Sequence, residues 1–291
     1  MTSAAGSFSK DPSTRARGST FLQKFGTYVL LISGSIIFTF PFLWMMRTSL
    51  LPPELMHVSP PVWIPWPPRW ANYSEMWTEG YFGFWIWNST VVTVLSVLGE
   101  TITSTVVAYG FSRTHFPGRN QLFIAVLATL MIPFHVLLVP QFVMFNALGW
   151  INTLYPLWVP ALFGGPFYIF ILRQFMLGLP KELDEAAEID GATRWIILWR
   201  IIVPLAKPAI ATVAAFAFIN NWNDFIRPLI FVLTPENQTL AVGIRWFTTR
   251  YDTYFHWLMA AAVISIMPII IIFFFTQKQF MRGIALTGLK G

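Results

Sequence analysis

Long apolar runs with almost no charge limit this chain to folds that cross a lipid bilayer. Of its 291 residues, 55% are hydrophobic and 11% are charged, and the mean hydropathy is +0.59. Soluble domains usually carry about 25% charged residues. Inside a bilayer the protein itself must satisfy every backbone polar group, so these runs predict helices. The sequence therefore predicts an all-α integral membrane protein.

Six runs are long enough to span a membrane. The predicted spans are approximately residues 25–46, 84–109, 121–139, 154–175, 208–228 and 257–275. Pro133 interrupts the third span, and three prolines with the pair Gly164-Gly165 predict a broken helix in the fourth. Residues 1–24 are predicted to form a mobile basic tail in the cytoplasm, and residues 25–291 a single transmembrane domain with a loop at 176–207.

The distribution of Lys and Arg predicts the orientation. Six spans place both termini on one side of the membrane. If that side is the cytoplasm, the inner segments hold fourteen of the nineteen basic residues and the outer segments hold five. Because cytoplasmic loops are enriched in Lys and Arg, we expect both termini to be cytoplasmic. The net charge of +6 then belongs at lipid headgroups and does not indicate a nucleic-acid partner.

The segment Glu182–Pro208 is the most polar long segment of the chain. Five of the thirteen acids lie within nine of its residues: Glu182, Asp184, Glu185, Glu188 and Asp190. The spacing predicts a short helix that Gly191 ends in a left-handed conformation. Thr193 is placed to cap a second helix over residues 194–203, which Pro204 and Pro208 are predicted to end.

This segment resembles the EAA loop of ABC importer permeases, most closely the carbohydrate (maltose-type) branch and its shorter second permease. The resemblance covers Glu185-Ala186-Ala187, Asp190-Gly191-Ala192 and the later Ile201-Ile202-Val203-Pro204-Leu205. It implies the type I importer permease fold, with six transmembrane helices, and a coupling helix that docks on an ATPase. The residues that it assigns to coupling are Glu185, Ala186, Ala187, Asp190 and Gly191. A surface helix with solvated acids is the alternative.

The resemblance also implies a function and a set of partners. The chain would be a permease subunit in the plasma membrane of a prokaryote, surrounded by lipid, that translocates a sugar or oligosaccharide. Its partners would be a second, different permease subunit, two ATPase subunits that bind ATP and magnesium, and an external solute-binding protein. Two alternatives remain: an importer of this fold for glycerol-phosphate or an amino acid, and a stand-alone channel or secondary transporter.

A polar segment at the outer end of the fifth span is the candidate substrate path. It consists of Asn220, Asn221, Trp222, Asn223 and Asp224. Such residues are costly in a membrane unless they face protein or water, and amides, carboxylates and indole rings suit sugars. The alternative is a polar helix end, in which Asp224 pairs with Arg227. The resemblance of Trp222-Asn223-Asp224 to a carbohydrate-permease signature favours the path.

Two other polar features have weaker assignments. Glu100, inside the second span, is predicted to accept a hydrogen bond from another helix rather than to bind an ion. The outer loop after the fifth span is assigned by resemblance to contact with the solute-binding protein, and an ordinary solvated loop is the alternative. The contact residues expected there are Arg245, Trp246, Arg250 and Tyr251.

No motif indicates catalysis by this chain. It has no cysteine, and its four histidines are far apart, so neither a metal site nor a thiolate nucleophile is expected. It also has no nucleotide-binding or hydrolase motif. We therefore expect no enzyme activity and no cofactor on this chain, and ATP must be hydrolysed elsewhere.

Overall fold

A computed structural model describes the backbone of residues 13–248 and 254–288, and the side chains of residues 23–248 and 254–277. The described backbone is helical and contains no β-strand. The helices are α1 (Ser13–Ser49), α2 (Ala71–Thr78), α3 (Phe82–Arg113), α4 (Arg119–Ala128), α5 (Phe134–Ala147), α6 (Tyr155–Trp158), α7 (Pro166–Leu177), α8 (Glu182–Ile189), α9 (Arg194–Ile197), α10 (Val203–Trp222), α11 (Ile226–Phe231), α12 (Leu240–Gly243) and α13 (Phe255–Gly288). Because α1 begins at Ser13, the second half of the predicted mobile tail is helical.

Among the described residues, five segments are long and apolar enough to cross a membrane. They are Gln23–Ser49, Phe82–Arg113, Tyr155–Leu177, Arg194–Trp222 and Phe255–Gln277. A sixth results if Arg119–Met131 and Phe134–Ala147 are counted as one bent span. This agrees with the predicted all-α fold with six transmembrane segments.

The third predicted span is not one helix across residues 121–139. Its two halves meet at 95°, and the second half continues to Ala147. The bend lies at Pro133, which lacks an amide hydrogen and forces the preceding Ile132 into an extended conformation (φ −80°, ψ 116°). The sequence predicted an interruption here, but not a change of direction.

The prediction that Pro204 and Pro208 end a separate cytoplasmic helix is wrong. The helical segment runs from Arg194 to Trp222, so the fifth span starts well before residue 208. A π-helical turn over Leu198–Ile202 precedes Pro204, and the amide of Val203 donates to the carbonyl of Leu198. Pro204 then lies in the first turn of α10, directly after the π-helical turn.

The fourth span is broken, as predicted, and α3 supports the break. A 3-10 turn over Val159–Phe163 leads to Gly164, whose φ is +80°, and α7 starts at Pro166. The Thr103 hydroxyl donates to the carbonyl of Leu162 (2.8 Å), and the Gly165 amide donates to the Ser104 hydroxyl (3.1 Å). These bonds satisfy backbone groups that the break exposes, as a bilayer requires.

The main core lies where α3, α7 and α10 meet. Its fully buried side chains include Leu172 and Met176 from α7, Ala206 and Val213 from α10, and Ala108 from α3. Helix α1 packs against α13, and its apolar side chains are largely exposed along the span. The packing therefore leaves α3 in the middle of the helices that carry the candidate sites.

We expect Gly99→Ala to lower the stability of the protein by about 1–3 kcal/mol, the usual effect of overpacking. A Cβ at Gly99 would lie 2.9 Å from Cδ2 of Leu162 and 3.1 Å from the carbonyl oxygen of Ala161. Gly110→Ala, on the same helix, is the matched control because nothing lies within 4 Å of its Cβ position. Thermal unfolding of the purified protein in detergent measures both effects. Equal midpoints for the two variants would contradict the close contact between α3 and the broken span.

Candidate functional site

The candidate coupling helix α8 has the predicted ending. The φ of Gly191 is +80°, the left-handed conformation that glycine adopts without strain. The Ala192 amide donates to the carbonyl of Ala187 (2.9 Å), and the Gly191 amide donates to that of Glu188 (3.0 Å). This pair of bonds is the Schellman motif. It fixes a tight turn between α8 and α9.

The start of α9 is also as predicted. The hydroxyl of Thr193 accepts a hydrogen bond from the amide of Ile196 (3.4 Å), so Thr193 is the N-cap. The caps on both sides of the turn set the angle at which α8 leaves the long helical segment that begins with α9. The coupling loop is therefore a defined helix–turn–helix structure.

Arg113, the last residue of α3, joins α8 to the membrane domain. Its guanidinium forms an ion pair with Asp184 (2.6 Å) and donates to the carbonyls of Met176 (2.6 Å) and Leu179 (2.9 Å). The Arg113 side chain is only 4% exposed. The carbonyls belong to the last turn of α7 and the residues after it, and the Met176 carbonyl also accepts from the Leu179 amide (3.2 Å). One side chain thus ties together the ends of α3, α7 and α8.

The Arg113 guanidinium offsets part of the cost of burying the Asp184 carboxylate. Burial raises the pKa of the Asp184 carboxyl, and the adjacent Arg113 charge and hydrogen bond oppose that rise. In the sequence, Arg113 is only one of the fourteen basic residues assigned to the inner side. The signal in the sequence was an arginine in the last turn of a long helix, where the helix dipole favours a cation. Nothing in the sequence indicated that this arginine pairs with Asp184.

Four of the five predicted coupling residues lie on the surface, and one does not. Glu185, Ala186, Asp190 and Gly191 are exposed, whereas Ala187 is buried in the main core. Ile189, between two of these acids, is 86% exposed. The surface of α8 therefore combines acidic groups with a large exposed apolar side chain, a composition typical of a protein contact.

The predicted path segment is divided between structural and accessible residues. Asn221 and Trp222 are buried, and the Trp222 indole donates to the carbonyl of Ser265 in α13 (2.9 Å) and stacks on Phe218. Asn220 and Asn223 are exposed, and Asp224 is half-buried. Two amides therefore remain accessible for contact with a substrate.

A polar network surrounds the end of α10. The guanidinium of Arg227 bonds to the carboxylate of Asp224 (2.5 Å), the amide oxygen of Asn221 (3.1 Å) and the carbonyl of Leu157 (3.3 Å). Asn221 in turn donates to the Glu100 carboxylate of α3 (3.2 Å). The predicted interhelical bond of Glu100 is confirmed, and the Asp224–Arg227 pair that was the alternative to a path is present.

The exposed amide of Asn220 also has a partner. Its side chain donates to the hydroxyl of the buried Tyr168 on α7 (2.9 Å). Tyr168 therefore orients Asn220 at the surface of the bundle. Sequence analysis did not identify Tyr168, because a single aromatic residue in an apolar span carries no signal of its own.

The outer loop is held by the other end of α3. The Trp85 indole donates to the carbonyl of Pro235 (2.8 Å), and Asn88 donates to the carbonyls of Glu236 (2.8 Å) and Gln238 (3.0 Å). The Ser89 hydroxyl accepts from the Leu240 amide (2.7 Å). These contacts order the loop that leads to the predicted binding-protein contacts.

Two of those predicted contacts can be located. Arg245 and Trp246 are exposed and line an open groove of about 620 Å³, together with Gln238, Tyr254 and Trp257. Arg250 and Tyr251 lie outside the described residues. The located pair faces outward, on the side of the membrane opposite to α8, as contact with an external protein requires.

The comparisons with known proteins decide the family. Residues 101–286 match the binding-protein-dependent transport system inner membrane component. This chain belongs to that family. The permease protein AraQ of an arabinooligosaccharides transport system in Halalkalibacterium halodurans is 37% identical over 76% of this chain and 79% of the relative. AraQ of Bacillus subtilis is 33% identical over 88% of this chain and 92% of the relative.

A solved structure shows the same fold. A chain of a bacterial ABC transporter involved in the import of alginate superposes with a TM-score of 0.79, at 22% identity, over 94% of this chain and 99% of that one. The protein therefore has the type I importer permease fold. It is a multi-pass permease subunit of an ABC importer in the plasma membrane of a prokaryote, which works with a solute-binding protein.

Proposed function

We propose that this permease carries a sugar or oligosaccharide. The observation that carries this proposal is that both AraQ relatives belong to transport systems for arabinooligosaccharides. The accessible amides of Asn220 and Asn223 suit the hydroxyls of such a substrate. Arg227, the cation nearest to them in the sequence, is already bonded to Asp224. This arrangement favours a neutral substrate over glycerol-phosphate.

We propose that α8 is the part of the chain that docks on an ATPase subunit. The exposed residues Glu185, Ala186, Asp190 and Gly191 would contribute to the contact directly, and Ile189 would supply its apolar centre. Ala187 would contribute indirectly, because its burial fixes the orientation of the helix. Two ATPase subunits would bind ATP and magnesium, and a second, different permease would complete the membrane assembly.

In the proposed cycle, closure of the two ATPase subunits around ATP moves α8 and the helices attached to it. The membrane domain then opens to the outside, and the sugar passes from the solute-binding protein to the accessible amides at the end of α10. Hydrolysis of ATP returns the domain to its inward-facing state. Arg245, Trp246, Arg250 and Tyr251 would take part in the contact with the solute-binding protein.

We expect Glu185→Lys to uncouple ATP hydrolysis from transport. The lysine would place a positive charge on the exposed face of α8, where the proposed contact with the ATPase uses a negative one. Like charges placed opposite each other at an interface suppress binding, so this contact would weaken. The measurement is sugar uptake and ATPase rate of the complete complex in vesicles, and we expect uptake to fall at least tenfold.

Glu54→Lys is the matched control, since it makes the same charge change at an exposed site of the first outer loop. That variant should transport like the wild type. Wild-type uptake by Glu185→Lys, with assembly verified, would show that α8 is not the docking helix.

The substrate class is tested on the solute-binding protein that works with this permease. We expect neutral oligosaccharides to raise its thermal unfolding midpoint, because a ligand that binds only the folded state stabilises it by mass action. Glycerol-phosphate and amino acids serve as the competing ligands. Stabilisation by one of those, with no effect of any sugar, would refute the sugar assignment.

A further inference from the structure

Helix α3 is tied by side chains to both candidate contact surfaces. It has 32 residues without an internal break, and at 1.5 Å per residue it is about 48 Å long, enough to cross the bilayer. Its inner end bonds to the helix proposed to meet the ATPase. Its outer end bonds to the loop that leads to the proposed binding-protein contacts.

The inner tie is buried and charged. Arg113 forms its ion pair with Asp184 of α8 and also bonds the carbonyls of Met176 and Leu179. If α8 moved without α3, the Arg113 charge would lose its carboxylate in a site that is almost closed to water. Leaving a buried charge without its partner is strongly unfavourable. Movement of α8 and movement of the inner end of α3 are therefore coupled.

The outer tie consists of neutral hydrogen bonds from three buried side chains. Trp85, Asn88 and Ser89 are each less than 9% exposed. Together they bond four backbone groups of the segment 235–240. The carbonyls of Glu236 and Gln238 and the amide of Leu240 are satisfied by Asn88 and Ser89, so the segment 235–240 follows the outer end of α3. Arg245 and Trp246 lie only a few residues further along the same loop.

Each of the other described spans contains a break, a bend, a π-helical turn or an internal proline. In α1 and α13 the prolines are Pro41 and Pro268. The span that contains α7 is broken at Gly164-Gly165, and the α4–α5 pair bends by 95°. The segment that contains α10 leaves the coupling loop directly, but a π-helical turn and Pro208 lie within it. A helix without such interruptions transmits a displacement along its axis with less loss, because kinks and π-turns are the places where helices bend.

We propose that α3 transmits the state of the outer loop to the coupling helix, and that Arg113 and Asn88 are the positioning residues that join it at each end. This inference rests on the proposed function, because it takes α8 as the ATPase contact and the outer loop as the binding-protein contact. Under it, binding of the loaded solute-binding protein displaces α3, and Arg113 passes the displacement to α8 through Asp184.

The test is stimulation of the ATPase by the loaded solute-binding protein, measured on the complete complex in lipid nanodiscs. The variants are Asp184→Asn, Asn88→Leu and the double variant. We expect each single change to reduce stimulation roughly two- to thirtyfold, the range that mutations along such networks produce. The ATPase rate without the binding protein should change little. The unfolding midpoint of the complex should fall, because each change leaves a buried group without its partner, so stimulation is measured well below that midpoint. Asp184→Glu, which keeps the charge, should restore part of the stimulation.

The double variant distinguishes one route from two. If both ties belong to a single route through α3, the double variant loses no more stimulation than the single variant that has the larger loss. Independent effects would instead multiply. Arg119→Gln is the control at the inner end, because within the part of the chain that the structure describes the Arg119 guanidinium bonds only to the nearby carbonyl of Thr114. Its stimulation should equal that of the wild type.

If Asn88→Leu impairs assembly, Trp85→Phe serves as a second outer variant. It removes only the hydrogen bond to the Pro235 carbonyl. Full stimulation in Asp184→Asn, or a multiplicative loss in the double variant, would overturn the role of α3. If the wild-type complex itself showed no response to any loaded binding protein, the proposed function would fail, and this inference with it.

Discussion

The hydrogen bonds that backbone groups must find inside a bilayer determine how this protein can be built. Its fourth span is broken at Gly164-Gly165, and a break in the membrane exposes amides and carbonyls that lipid cannot satisfy. Thr103 and Ser104 of α3 supply the missing partners, and Gly99 lets the two segments approach closely. A continuous helix thus permits its neighbours to be discontinuous, which is the combination that a moving membrane domain needs.

The same principle explains the polar residues at the end of α10. Asn221 connects Glu100 to Arg227, and Arg227 bonds to Asp224 and to the carbonyl of Leu157. Part of the polar segment therefore holds helices together, and its composition alone overstates how much of it can contact a substrate. The exposed amides of Asn220 and Asn223 are the residues that remain available for such contact.

Features governed by local sequence could be predicted, whereas those governed by packing could not. Apolar run length predicted the number of transmembrane segments, and local spacing predicted the Gly191 and Thr193 caps. The 95° bend at Pro133 depends on which neighbours cover the freed groups. The continuation of the helix through Pro204 depends on a π-helical turn, and the role of Arg113 depends on a contact 71 residues away. The bend, the continuous helix and the Arg113 contact leave no recognisable pattern in a single sequence.

We propose that this permease moves sugar only under the control of its ATPase and its solute-binding protein. Uptake of labelled oligosaccharide is measured in liposomes that contain the complete complex, with ATP on the side of α8 and the binding protein on the side of Trp246. We expect accumulation against the gradient that stops when either ATP or the binding protein is omitted. Uptake of the same sugar by the purified chain alone, without ATP, would contradict it.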